Sequence, residues 1–410
     1  MTSFFQSRTR AYLDHAAATP LRKEVLQAMM PFMNTHFANA SALYREGRGA
    51  RAAVSASRAE IAKILRVRQE EVFFVSGGTE ANNLALQGIV ESLHLKGRAY
   101  AECEIITTAL EHPSILGVLS SLEKKGVVVH KVPVDAEGLI DFSTFEKLLT
   151  QNTVLVTIAY ANSEIGVIQD VRKVARTVKQ SRARFMHALP YIHLDASQAP
   201  LYLPCALDSL GIDCMTLDAA KFCGPKGIGM LIKKQGVSIA PLFFGGDQEE
   251  GLRPGTENTP SIVGCAKAFA LAQDTWEKRV EKVAQVRDYG MQKILREIPG
   301  SIVNGSSLMR IANNINVSIP GIDGEYAAVV LDHYGYSVST KSACSGLSGS
   351  GSQVIYAMAG EGEEADARAL STLRITLGEA TTKRNIDGLV RVLKGHVERT
   401  RKAIDQMLKK

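Results

Sequence analysis

The 410-residue chain has no apolar run approaching the ~18 residues that a membrane-spanning helix needs. Its first ten residues, MTSFFQSRTR, hold two arginines and two phenylalanines but not the apolar centre of a secretory signal, so a cytoplasmic location is expected. It has no Cys-x-x-Cys pair and no His/Cys ligand spacing. The six cysteines stand at 103, 205, 214, 223, 265 and 344, and neither a disulfide framework nor a metal site is expected. Charge of one sign is also scarce. A net charge of +6 spread without basic blocks speaks against a nucleic-acid or membrane partner, and suits an anionic cofactor or an acidic partner patch equally. There is no internal repeat, and the only low-complexity stretch is the serine/glycine segment at 344–352.

What is present is ordinary in bulk, with 45% apolar and 22% charged residues, and long enough for two domains. Short apolar runs at 72–75, 104–107, 127–132, 154–159, 192–195, 215–217 and 228–232 alternate with amphipathic stretches such as 58–65, 80–95, 114–124 and 171–181. Strands alternating with helices predict βαβ units and a mainly parallel sheet. Strands of such a sheet are buried on both faces, which explains continuous rather than alternating apolar runs. After Gly255 the pattern changes: one long helix over 261–298, strands at 313–319, 336–340 and 372–377, and helices at 325–333 and 383–409 predict a smaller α+β domain.

Five segments carry chemistry. In Phe73-Phe74-Val75-Ser76-Gly77-Gly78-Thr79-Glu80 a strand runs through glycines into a helix, whose first N–H groups can hold an anion; the same residues also serve as an ordinary βα turn capped by Thr79. His193-Leu194-Asp195-Ala196-Ser197-Gln198 puts a carboxylate at a strand's carboxyl end, where α/β sheets bind ligands or where it simply caps the next helix. Lys221 follows the run 215–217 and precedes a glycine/proline turn; a lysine placed there either reaches the surface or is a nucleophile, with Lys226 as competitor. His112, in Glu111-His112-Pro113-Ser114, sits at another strand-to-helix junction, suited to stack on a ring and move protons. Cys344 opens the serine/glycine segment with Lys341 close by, which would favour a thiolate; an idle loop thiol is an equal reading of the same residues.

Together with Tyr12-Leu13-Asp14-His15-Ala16-Ala17-Ala18-Thr19-Pro20, Asn162-Ser163-Glu164-Ile165-Gly166, Arg253-Pro254-Gly255-Thr256-Glu257-Asn258 and Leu373-Arg374-Ile375-Thr376-Leu377-Gly378, these segments resemble, in order and nearly end to end, the cysteine desulfurases among the pyridoxal-phosphate (PLP) enzymes of fold type I. The resemblance implies a large domain (21–260) with a mainly parallel seven-stranded sheet flanked by helices, and a smaller α+β domain (1–20 and 261–410) carrying the cysteine loop. It implies PLP as cofactor, tethered by Lys221, with His112 stacked on its ring, Asp195 on its ring nitrogen, Gln198 on its phenolic oxygen, and Gly78 and Thr79 on its phosphate. Thr256 would reach a neighbouring subunit's phosphate in a homodimer. Arg374 and Ser163 would hold the substrate, L-cysteine. Cys344 would take its sulfur as a persulfide, leaving L-alanine, and deliver it to an acceptor protein for iron–sulfur cluster assembly or tRNA thiolation.

The chain departs from that pattern where Asp218-Ala219-Ala220-Lys221 replaces a usual Ser-Gly-His-Lys, putting a carboxylate where a phosphate is expected. Ser163 replaces an asparagine, Cys223 an aromatic residue and Lys341 a glycine. Two other readings follow: a selenocysteine lyase or related PLP lyase, which would not need Cys344, and an interaction protein of the same fold with impaired catalysis.

Overall fold

In the computed structural model, which describes residues 10–340 and 351–408, the chain enters along a short strand, β1 (Ala11–Tyr12), paired in parallel with the distant β11 (Tyr336–Ser337). Helices α1 (Lys23–Asn34) and α2 (Arg45–Leu65) follow. Helix α2 buries Ala50, Val54, Ile61 and Leu65, a three-and-four spacing that lines one face, and stops where Arg66 turns to a left-handed φ of 57°.

Seven strands then build one sheet: β2 (Val72–Val75), β3 (Glu104–Thr108), β4 (Val128–Val132), β5 (Thr153–Ala159), β6 (Tyr191–Asp195), β7 (Cys214–Asp218) and β8 (Gly229–Lys233), in the order β2-β8-β7-β6-β5-β3-β4. Only β8 runs against its neighbours, β7 and β2. Helices α3 (Gly78–Leu95), α4 (Pro113–Glu123), α5 (Phe142–Leu148), α6 (Val171–Phe185) and α7 (Leu207–Leu210) make the crossovers. All four residues of β2 and the first six of β5 are buried, as strands covered on both faces require. Strand order reverses between β3 and β5, so a crevice opens at their carboxyl ends.

The remainder comprises α8 (Thr259–Asp274), α9 (Trp276–Glu297), β9 (Ile302–Val303), β10 (Asn314–Ser318), α10 (Gly324–His333), α11 (Gln353–Ala359), α12 (Glu363–Leu370), β12 (Thr372–Thr376) and α13 (Lys383–Leu408). Strands β12, β10 and β9 form a second, antiparallel sheet. The single helix expected over 261–298 is two, broken at Thr275. The buried Arg279 explains the break: its guanidinium donates to the carbonyls of Leu271 and Ala272, capping the last turn of α8 from one turn into α9. Helix α8 packs on α1 and α2, beside the large sheet rather than the small one. The strand expected over 336–340 ends at Ser337, after which Ser339 bridges the backbone of Arg374. Among the described residues no helix is long and apolar enough to cross a membrane.

Candidate active site

The crevice at the carboxyl edge of the large sheet is a cleft lined by residues from that sheet, from β12 and from the segment after β1. Its walls include residues singled out in the sequence: Gly78 and Thr79 after β2, His112 after β3, Asp195 at the end of β6 with Gln198 just beyond it, and Lys221 after β7. Ser163 after β5 and Arg374 on β12 complete it. Thr256 is exposed and lies outside the cleft-lining residues of this one chain. Cys344 and Lys341 lie outside the described residues.

Local structure explains each placement. Asp218 ends β7, and its carboxylate accepts the Ala220 N–H at 3.0 Å, capping a single tight turn that brings Lys221 back over the sheet edge. There the Lys221 Nζ donates to the carbonyls of Ala16 at 3.0 Å and Ala17 at 2.5 Å. Gln198 donates to the same Ala16 carbonyl at 3.0 Å. The competing Lys226 instead donates to the Thr19 carbonyl and stands outside the cleft. Helix α3 starts at Gly78 in the cleft wall; a side chain there would meet the Ser197 Oγ at 3.2 Å and the Asp218 Cβ at 3.3 Å.

Asp195 is heavily engaged. Its Oδ1 accepts from the Ser197 N–H at 3.0 Å and hydroxyl at 2.6 Å, and its Oδ2 from Asn82 Nδ2 at 2.9 Å. His112 is the N-cap of α4, with Pro113 at the first helical position holding the backbone extended, and its ring accepts the Ser114 N–H at 3.2 Å. Burial lowers the His112 pKa, with Lys221 and Arg374 adding to that direction and Asp195 and Asp218 opposing it. Behind it Glu111 is buried and its carboxyl is raised to about 8, chiefly by burial and further by the Asp195 charge.

Arg374 is almost fully buried; it donates to Asp14 Oδ1 at 2.9 Å and to the Ser163 carbonyl at 3.2 Å, while its Nε has no partner. Ser163 thus meets it through the backbone. The sequence reading did not single out Asn82, Ser114, Ser197 or Asp14 for a role. Asn82 carried one signal, its place one turn into α3 after the glycines, on the face that returns to the cleft.

Comparison with known proteins matches residues 11–389 to the family described as Aminotransferase class-V. The chain belongs to the class-V aminotransferase family. It is 38% identical over 394 residues to a protein of Dictyoglomus turgidum named cysteine desulfurase IscS, covering 96% of each chain. It is 35% identical to one of Methanosarcina thermophila with the same name, covering 95% of this chain and 92% of that one. Among solved structures, a NifS-like protein superposes with a TM-score of 0.86 at 31% identity, covering 95% of this chain and all (100%) of that one. The structure titled SspA in complex with cysteine superposes at 0.76 with 30% identity, covering 91% of this chain and 100% of that one.

The cofactor of this family is PLP, and the class-V cleft described above suits it. An amine, an imidazole, a carboxylate and a helix start line one cavity, and at Gly78 the wall has no room for a Cβ without crowding. The discordant feature is the Asp218 carboxylate, whose Oδ2 would stand 3.4 Å from a side chain at 78, beside the anion-binding turn.

Proposed function

We propose that this chain is a PLP-dependent cysteine desulfurase that converts L-cysteine to L-alanine and carries the released sulfur on Cys344. The observation that carries the reading is that Lys221, His112, Asp195 and Arg374 line one cleft, in a chain 38% identical to a protein named cysteine desulfurase.

Bound here, PLP supplies an electron sink for charge developing at the substrate Cα. Lys221 would hold it covalently and then move the Cα proton, its amine leaving the Ala16 and Ala17 carbonyls to do so. Asp195 would hold a proton on the ring nitrogen. His112 would lie against the ring and exchange protons through the nitrogen that faces the cleft. Gly78 and Thr79 would bind the phosphate through the start of α3. Gln198 would donate to the phenolic oxygen. Arg374 would clasp the substrate carboxylate with Ser163 beside it. The Cys344 thiolate would attack the substrate sulfur; a sulfur–sulfur bond forms, the Cβ–S bond breaks with its electron pair kept on carbon, and a proton completes L-alanine.

A homodimer, a cytoplasmic location and an acceptor protein for the sulfur complete the proposal. Exposed Phe37 and Leu43 between α1 and α2, with Phe244, support an apolar contact between copies, and the exposure of Thr256 leaves it available to a neighbour's phosphate. The division into a large domain (21–260) and a small one is supported by the separation of the seven-stranded sheet from the three-stranded one, with α8 as the exception. Asp218 is the one observation that favours the catalytically impaired reading.

The test is L-cysteine turnover by purified protein supplemented with PLP. Sulfide released under reductant, matched one for one by alanine, is expected. Colourless protein that PLP neither colours nor activates would overturn the reading in favour of the impaired one.

A further inference from the structure

We propose that Asn82 and Ser114 are positioning residues that fix the proton and orientation of the His112 ring by linking it, hydrogen bond by hydrogen bond, to the Asp195 carboxylate. The inference deepens the function proposed above and rests on it for its purpose, but its geometry stands in the protein itself.

The chain of contacts starts at Asp195. A carboxylate can only accept, so the Asn82 group 2.9 Å from Oδ2 must be its amide nitrogen; the flipped amide would set oxygen against oxygen. That choice leaves Asn82 Oδ1 buried without a partner, in a side chain that is 1% exposed. The amide is therefore held in the orientation Asp195 dictates although its own oxygen is left unsatisfied. The second amide proton goes to Ser114 Oγ, also at 2.9 Å. The serine oxygen is then an acceptor on that side, and its own proton is free to point to His112 Nδ1, 2.8 Å away. The Ser114 backbone N–H points to the same nitrogen at 3.2 Å.

The backbone N–H can only donate, so Nδ1 must carry a lone pair, and the Ser114 hydroxyl then serves as its second donor. The neutral ring keeps its proton on Nε2, the nitrogen left for the cleft. Charging the ring would put a proton on Nδ1 against the Ser114 N–H and would make the serine hydroxyl give up its donation. The surrounding charges do not decide the matter, because they oppose one another: Asp195 and Asp218 favour the charged ring, whereas Lys221 and Arg374 disfavour it. Glu111 is turned away, accepting from the Thr108 hydroxyl at 2.8 Å. Burial also disfavours the charged ring, in agreement with the relay.

The experiment is nitrogen NMR of holoenzyme labelled at its nine histidines, with the His112 signals identified by their loss in His112→Gln. The wild-type enzyme is expected to show His112 Nε2 protonated and Nδ1 bare at about neutral pH. Ser114→Ala removes one donor from Nδ1, so the ring's titration midpoint should rise by roughly half to one unit, the equivalent of one neutral hydrogen bond. Ser114→Thr, which restores the hydroxyl, should return it. Asn82→Ala should move the midpoint the same way as Ser114→Ala, because the serine hydroxyl loses its orientation. A proton on Nδ1 in the wild type, or a midpoint unmoved in Ser114→Ala, overturns the inference. The wild-type tautomer needs no variant to fold. Failure of L-cysteine turnover would overturn the proposed function and leave this measurement standing, so the two fail separately.

Discussion

Arg374 Nη2 donates to Asp14 Oδ1 at 2.9 Å, joining β12 to the segment after β1 across 360 positions of sequence. The pair aims a buried guanidinium, whose Nε has no partner, at the cleft, and in the proposed function that guanidinium would take the substrate carboxylate. Arg374→Ala should raise the KM for L-cysteine about 100-fold, in the range lost when one partner of a buried charge pair is removed, with a smaller change in kcat. Steady-state kinetics over a wide L-cysteine range checks this; an unchanged KM removes Arg374 from the carboxylate site.

Asp218 should weaken cofactor binding. Its carboxylate stands against Gly78, at the turn where a phosphate would bind. Asp218→Ser removes a like charge at close range and should tighten PLP affinity roughly 10- to 100-fold, on the scale of a screened charge pair a few ångströms apart. Titration of the apoenzyme with PLP, followed by absorbance, measures it. Equal affinities would mean that the carboxylate is turned from the phosphate when PLP binds.

Glu111 makes stability depend on pH. Its carboxyl is raised from 4.5 to about 8, by burial first and the Asp195 charge after it, with the Thr108 hydroxyl and the Ala159 N–H opposing. Below 4.5 the group is protonated in both folded and unfolded chains. Between 4.5 and about 8 only the unfolded chain releases the proton, so stability falls through that window as pH rises and then levels off. Glu111→Gln should abolish this component, making the variant the more stable by on the order of a few kcal/mol above the window and little different below it. Urea unfolding at about pH 5 and about pH 8.5 measures both ends. A difference between variant and wild type that is the same at both ends would contradict the assignment.

Lys221→Ala should lose the visible absorbance of the bound cofactor and all turnover, because no other amine lines the cleft among the described residues. Spectra of the reconstituted variant check this; persistence of both signals would move the tether elsewhere.

The sheet was legible because its strands are buried on both faces and therefore appear as unbroken apolar runs; each of the seven lies within a residue or so of its place in the structure. The break at Thr275 was not legible, because the helical pattern continues across it and its cause is a tertiary contact of Arg279 with carbonyls of the preceding helix. Much of α2 before residue 58 was missed for a different reason: Arg45–Ala53 is rich in arginine, glycine and alanine and has no strong apolar period. In the site, residues at strand ends could be read one by one from local pattern. Their partners could not. Asn82 and Asp195 are 113 positions apart, and Asp14 and Arg374 farther still, so only folding pairs them.

The sulfur carrier is the centre of the account. Enzyme exposed to L-cysteine without reductant and then digested should yield a Cys344 peptide heavier by one sulfur atom, with alanine formed alongside. Cys344→Ala should form neither product at a significant rate. A variant that turns over L-cysteine as fast as the wild type, or a wild type that forms alanine with no added sulfur on Cys344, would contradict it.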